Sequence, residues 1–389
     1  MVGVLAFAAT LLLAVLVSAL AHRTVLSTAV LFLAVGFAIG KGALSLITVG
    51  PADPLVRILA VLALVSVLFT DGMRASVRDL VSAWHLPGRA LLLGLPITLA
   101  LTALAARFVV GLPWPDSFLV GAVLSPTDPV FAVAIVGRED VPYRLRHLLN
   151  VESGLNDGLA LPVVLVLLAI VGRQEMRVGT EALQLLAGIG IGIAIPWAAA
   201  ALERSRFFSA SAAYEPLGAF AVGLLVFSAA ALTGMNEFLA AFAGGVTVAT
   251  ASPAMRTAFH RFGDLVTELL KLAALMVFGI AVHPSLFADV GVRGYAFAVV
   301  ALVLARPIAI GLAFLGARVP AREWLAAAWF GPKGFASVVY GLLILQSGVP
   351  GAGRMFDLVA IVIIVSIVAH SSTDVVVARW FRGTEAPPA

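Results

Sequence analysis

Apolar runs succeed one another along the whole chain, separated by short polar interruptions, and most are long enough to cross about 30 Å of hydrocarbon as a helix. They fall at roughly 4–21, 25–40, 54–70, 89–110, 117–136, 145–171, 183–202, 214–233, 237–251, 265–282, 291–315, 324–346 and 356–377. The pattern predicts an all-α polytopic membrane protein of about thirteen transmembrane helices, residues 1–389 forming one integral unit. The first run lacks a basic leader and is followed by His22 and Arg23, so it reads as a span and not a secretory signal.

Two of these runs are interrupted by groups that a membrane helix does not otherwise carry. In 117–136, Pro126 and Pro129 bracket Thr127 and Asp128. Each proline removes a backbone donor, so carbonyls near Ala122 and Ser125 lose their helical partners and the helix is expected to break. In 324–346 the interruption is Gly331-Pro332-Lys333-Gly334. The two broken runs lie seven spans apart in this scheme, and an odd offset places them in opposite orientations. That is the signature of inverted repeats whose two broken helices cross at the site. Between them, in 145–171, Ser153 and Asp157 stand at i and i+4 on one helix face, with Glu152 and Asn156 on a stripe about 100° round. Two carboxylates, a hydroxyl and bare carbonyls therefore converge at depth. This is the oxygen set that a dehydrated small cation requires.

Composition sharpens the class. Hydrophobic residues make up 61% of the chain and charged residues 12%, with a mean hydropathy of +1.08, which excludes an ordinary soluble domain. Cysteine is absent, so neither a disulfide framework nor a thiolate metal site is available. The pI of 9.8 does not indicate a nucleic-acid partner, because the bases lie singly in short loops. Read as topology signals, they divide unequally. Arg23, Arg74, Arg78, Arg89, Arg138, Arg144, Arg146, Arg204, Arg206, Arg256, Arg261, Arg318, Arg322, Arg379 and Arg382 fall on one side; Lys41, Arg57, Arg107, Arg173, Arg177, Arg293 and Arg354 fall on the other. The N-terminus is thus expected outside and the C-terminus in the cytoplasm of a plasma (cell inner) membrane. Lys271, Arg306 and Lys333 remain, all within apolar segments, where an ionisable residue is a functional candidate.

For Asp128 and Asp157 the bland role is helix-to-helix glue, but a carboxylate in a proline-broken membrane helix costs too much for that. Two close carboxylates cannot both ionise cheaply, so a proton and a cation compete for the same place. Arg306, before Pro307, cannot shed its proton and needs a buried anion; Glu152 is the expected partner in a structural pair. Lys333 is placed to offset the carbonyl end of its own first half-helix, and Lys271 to snorkel from near the start of its span. Asp71 and Asp374 read as interface or gate residues near span ends. The six histidines are scattered, with His147 at the cytoplasmic entrance, and the run Gly188, Gly190, Gly192 suits close helix packing.

With TDP at 127–129 and ESGLND at 152–157, the chain resembles the monovalent cation:proton antiporter superfamily, in the sodium/proton exchanger branch with the prokaryotic NhaP-type antiporters. FTDG at 69–72, FLAAFAGG at 238–245, Arg306 and GPKG at 331–334 extend the resemblance over nearly the whole length. It implies a homodimer in which a core, 89–171 with 291–377, moves against dimerisation helices 4–70 and 214–282, with 183–202 as linker. It implies that Asp157 carries cation and proton, that Asp128, Ser153 and the Thr127 carbonyl supply further ligands, and that Glu152 pairs with Arg306. Electrogenic relatives have a second aspartate where Asn156 stands, so the resemblance implies electroneutral exchange. The family often has arginine at the position of Lys333, and lysine lacks the planar fork. The expected function is exchange of Na⁺ (or Li⁺) for H⁺ by alternating access, in the service of pH homeostasis, with K⁺/H⁺ exchange as the alternative. No cofactor is expected beyond the transported ions. A channel would need a repeated filter, and an intramembrane enzyme an HExxH or nucleophile elbow; neither motif is present.

Overall fold

The structure, a computed structural model, describes residues 2–21, 28–47, 53–74, 86–128, 141–172, 178–205, 211 and 214–381. Pro129 and the second half of the 117–136 run lie outside these residues, as do Arg23, Arg78, Arg138, Arg173, Arg177, Arg206, Arg382 and the side chain of Asp374. The described residues contain helices and connecting turns and no strands.

In chain order the helices of eight or more residues are α1 (Val2–Ala21), α2 (Thr28–Ile39), α3 (Pro54–Arg74), α4 (Pro87–Val110), α5 (Trp114–Val123), α6 (Tyr143–Val171) and α7 (Val178–Glu203). They continue with α8 (Glu215–Leu232), α9 (Glu237–Ala251), α10 (Pro253–Ala281), α11 (Gly291–Ala313), α12 (Ala321–Trp329), α13 (Phe335–Ser347) and α14 (Ala352–Ala378). Seven helices among the described residues are long and apolar enough to span a membrane, and shorter apolar helices accompany them. This is a polytopic all-helical membrane protein, the form that hydrocarbon imposes when every backbone group must be bonded internally. α10 begins at Pro253, well before the apolar run, because its first turns carry Arg256, His260, Arg261 and Asp264. A hydropathy window reads such amphipathic turns as loop.

Two sets of helices form. α2, α3, α7, α8, α9 and α10 pack against one another, as do α4, α5, α6, α11, α12, α13 and α14, and the sets meet where α3, α9 and α10 face α6 and α13. Backbone-to-backbone approach sets the spacing in the first group. A Cβ on Gly72 would stand 2.4 Å from the Phe242 carbonyl, and one on Gly245 only 2.1 Å from that of Phe69. FTDG and FLAAFAGG are therefore the two halves of one helix crossing. In the glycine run of α7, Gly188 and Gly192 press on Asn236 and Ala240 of α9, whereas Gly190 meets nothing within 4 Å.

The second set carries both interrupted runs. α5 ends at Val123 and the chain runs on without helix through Pro126, Thr127 and Asp128; α12 ends at Trp329 and α13 starts at Phe335, with 330–334 between them outside any helix. A further correspondence links α4 and α11, which are also seven spans apart in the sequence scheme. Each contains a π-helical turn, Ala90–Gly94 or Ala301–Ala305, immediately before Leu95-Pro96 or Arg306-Pro307. A proline withholds the N–H that a preceding carbonyl needs, and a wider turn is one way a helix accommodates the loss.

The crossing of α3 and α9 yields a stability test. Gly245→Ala drives a methyl into a backbone carbonyl and is expected to cost at least about 1–3 kcal/mol as overpacking. Gly190→Ala, on an open helix face, is expected to be neutral or stabilising by up to about 1 kcal/mol. Thermal unfolding of both variants in detergent, compared with the parent, checks the contrast.

Candidate functional site

The two non-helical stretches cross and bond to each other. The N–H of Asp128 donates to the carbonyl of Pro332 at 2.9 Å, and Oδ2 of Asp128 accepts from the N–H of Phe335 at 3.0 Å, capping the start of α13. Nothing larger than glycine fits at 334, since a Cβ there would lie 2.1 Å from that of Asp128. Gly331 is likewise filled from outside, a Cβ falling 2.0 Å from Cδ of Arg306. The glycines of GPKG are thus required by close approach at the crossing.

α6 supplies the remaining groups, and its i, i+4 geometry places them as the spacing predicts. Ser153 Oγ donates to the Thr127 carbonyl at 2.8 Å. The Asn156 amide donates to the same carbonyl at 3.2 Å and to Thr127 Oγ1 at 2.7 Å. The Thr127 carbonyl is therefore held by two donors from the helix opposite, and the Ala122 carbonyl, expected bare, accepts from Ser125 Oγ at 2.9 Å. Asp157 is buried, its backbone carbonyl accepting from Tyr340 Oη at 2.7 Å. Its Oδ1 and the Oδ1 of Asn156 are buried without a hydrogen-bond partner. Such an orphan costs about 1–3 kcal/mol and calls for a ligand. The charges of Asp71 and Asp128 act against a charge on Asp157, and that of Lys271 favours it. The donors are all oxygens, suited to a hard cation. Among the described residues no group of three or more His, Asp or Glu converges as a tight divalent site would.

Glu152 and Arg306 make a bidentate pair, Nη1 to Oε1 at 2.6 Å and Nη2 to Oε2 at 3.0 Å, with both side chains buried. Nη2 also donates to the Phe330 carbonyl at 3.1 Å. Arg306, rather than Lys333, therefore serves the carbonyl end of α12. Lys333 reaches across instead, its Nζ 3.4 Å from the Pro126 carbonyl of the first broken segment. Lys271 also departs from expectation. It lies far inside α10, which starts well before its apolar run, and its ammonium is 5.8 Å from the ring centroid of Phe335 at the crossing. Asp71 is buried at 5% exposure with Arg74 Nη1 at 3.4 Å.

Sequence reasoning missed several supports. Ser337 Oγ donates to the Val123 carbonyl at 2.7 Å, closing the broken end of α5. Ser366 Oγ accepts from the Lys333 N–H at 2.8 Å and lies 3.1 Å from Nδ1 of His370, whose Nε2 is 3.0 Å from the Trp329 carbonyl. Ser366 and His370 stand at i, i+4 in an apolar helix, a usable signal that was lost among scattered histidines.

Two helices that end in non-helical stretches crossing one another, with buried carboxylates at the crossing, match the arrangement found in secondary-transporter folds. The chain belongs to the sodium/hydrogen exchanger family, whose transmembrane profile matches residues 9–380. Curated relatives include the K⁺/H⁺ antiporter NhaP of Alkalimonas amylolytica, 28% identical over 90% of this chain and 62% of that protein. Another is the K⁺/H⁺ antiporter NhaP2 of Shewanella baltica, 25% identical over 96% of this chain and 66% of that protein. The chain thus spans just under two thirds of the length of these relatives. Among solved structures, the sodium proton antiporter MjNhaP1 of Methanocaldococcus jannaschii at pH 8 has the same fold, with a TM-score of 0.81 at 20% identity over 98% of this chain and 99% of that one.

Arg306→Ala is expected to destabilise the protein by about 3–5 kcal/mol, chiefly by leaving the Glu152 carboxylate buried and unpaired. Adding Glu152→Gln should recover part of that loss. A double-mutant cycle of thermal stability in detergent measures the coupling.

Proposed function

We propose that this chain is a secondary antiporter exchanging Na⁺ or Li⁺ for H⁺ across a plasma membrane by alternating access, one ion against one proton. The observation that carries the reading is the buried, unpartnered Asp157 Oδ1, beside Asp128, Ser153 and Thr127 at the crossing. A cation would take ligands from Asp157, Asp128, Ser153 and Thr127, with the orphan Oδ1 of Asn156 adjacent. A proton on Asp157 would satisfy the same site without the ion, so proton and cation displace each other. Asn156 carries no second proton, and Glu152 is committed to Arg306, so one charge is loaded either way.

In this reading the second helix set, with the crossing, moves against the first, which forms a homodimer; α7 links them. The excess of loop arginines puts the N-terminus outside and the C-terminus in the cytoplasm. The names of the NhaP and NhaP2 relatives support K⁺/H⁺ exchange as the second reading. Radius and ligand number at the site decide between the ions.

Competition fixes the pH dependence. Below the pKa of the site, apparent Na⁺ affinity is expected to weaken about tenfold per pH unit, because each proton bound removes a cation site; above it, affinity should be flat. Asp157→Asn should abolish exchange while the protein still inserts. Dye-reported exchange in proteoliposomes, run with Na⁺, Li⁺ and K⁺ at several pH values, tests both, and robust exchange by folded Asp157→Asn would sink the mechanism. A response to K⁺ alone would favour the second reading.

Stoichiometry is tested separately. An imposed potassium/valinomycin potential is expected to leave unchanged the Na⁺ gradient at which net proton flux vanishes, since equal charges travel each way. A shift in that gradient would mean that another carboxylate cycles.

A further inference from the structure

Three cations lie in the apolar segments, and two have evident structural work. Arg306 is taken by Glu152 and the Phe330 carbonyl, and Lys333 by the Pro126 carbonyl. Lys271 belongs to the other helix set, on α10, and is only half-buried. Its ammonium stands over the ring of Phe335, at 5.8 Å from the centroid, and the N–H of that same residue donates to Asp128 Oδ2. The charge is thus brought to the edge of the crossing from the far side of the boundary between the helix sets. Four carboxylates act on it there: Asp128, Asp71 and Asp157, and Glu268 from its own helix. A snorkelling lysine turns towards headgroups and water, whereas this one lies over the ring of the residue whose N–H bonds Asp128.

We propose that Lys271 is a tethered cation that competes electrostatically with the transported ion for the Asp128 and Asp157 carboxylates, and so sets cation affinity from the opposing helix set. This rests on the reading of those carboxylates as the cation site. The ammonium need not coordinate either carboxylate to act. In general a unit charge roughly 10–15 Å from a cation site, at an effective dielectric of about 20, changes its affinity by roughly five- to twentyfold. Because Lys271 does not belong to the helix set that carries the crossing, its influence belongs to conformations in which α10 and α13 are apposed as here. Weakened binding in that arrangement favours release of the cation on the side to which the site is then open.

The test replaces the charge and reads cation affinity in two ways. Lys271→Gln and Lys271→Arg are purified, and both apparent KM for Na⁺ and K⁺ in proteoliposomes and cation-dependent thermal stabilisation in detergent are measured. Lys271→Gln is expected to lower the apparent KM and the half-stabilising cation concentration by about five- to twentyfold, and Lys271→Arg to stay within about twofold of the parent. Should Lys271→Gln accumulate poorly, Lys271→Met carries the same expectation. Unchanged affinity in the neutral variants would overturn the proposal, as would an arginine variant displaced as far as glutamine, since that would make the contribution one of packing and not charge. Failure of the underlying reading looks different: the parent would show no cation-dependent stabilisation, or Asp157→Asn would retain it.

Discussion

Inside hydrocarbon an extended stretch of backbone has no water to bond with, and every bare N–H or C=O costs several kcal/mol unless the protein itself supplies a partner. The protein answers with a mutual arrangement. The stretch ending at Asp128 and the stretch from Phe330 to Gly334 each satisfy the other, through Asp128 to Pro332 and Phe335 to Asp128. Arg306, Lys333, Ser337 and Ser366 take up further groups around the break. Most of the buried polar side chains near the crossing are thereby explained by backbone accounting. Among what that accounting leaves over beside the crossing are Nε of Arg306 and the Oδ1 atoms of Asn156 and Asp157, and the two oxygens are the part that points to a cationic ligand.

The same economy governs how the two helix sets meet. The α3 and α9 motifs interlock through Gly72 and Gly245, which holds Phe242 against Gly158 of α6, one residue beyond Asp157. Asp71 follows directly from that crossing, since it precedes Gly72. The first helix set therefore brings its own charges, Asp71 and Lys271, up to carboxylates carried by the second. The electrostatics of the crossing belongs to both sides of the boundary, although its two orphan oxygens come from one.

How much of this was legible in the sequence depended on whether the signal was local. Proline pairs and the GPKG run announced the broken helices because a missing N–H is a property of one residue, and i, i+4 spacing put Ser153 with Asp157 because helix geometry is fixed. The unpartnered charge of Arg306 called for an anion, and Glu152 was within the small set of candidates. Contacts across the fold were illegible. Nothing local says that Lys333 bonds Pro126, that Arg306 rather than Lys333 covers Phe330, or that Gly334 is shaped by Asp128. Lys271 was misplaced because hydropathy found the apolar run and not the start of the helix, so a residue well inside α10 looked terminal. His370 and Ser366 went unread because two weak polar residues in an apolar helix resemble noise until the carbonyl they serve is in view.

The paired π turns of α4 and α11 have a consequence for the rotational phase of those helices. A π turn accommodates one residue more than the α-helical ladder would, and one residue corresponds to about 100° of rotation. The side chains before Ala301 and those after Ala305 are therefore out of phase by that amount, and it is after this slip that Arg306 faces Glu152. Shortening α11 by one residue within that turn would swing the guanidinium toward a neighbouring face with no change to any residue of the pair. The length of a featureless alanine–leucine–valine stretch is, in this helix, as specific a piece of information as the charge that follows it.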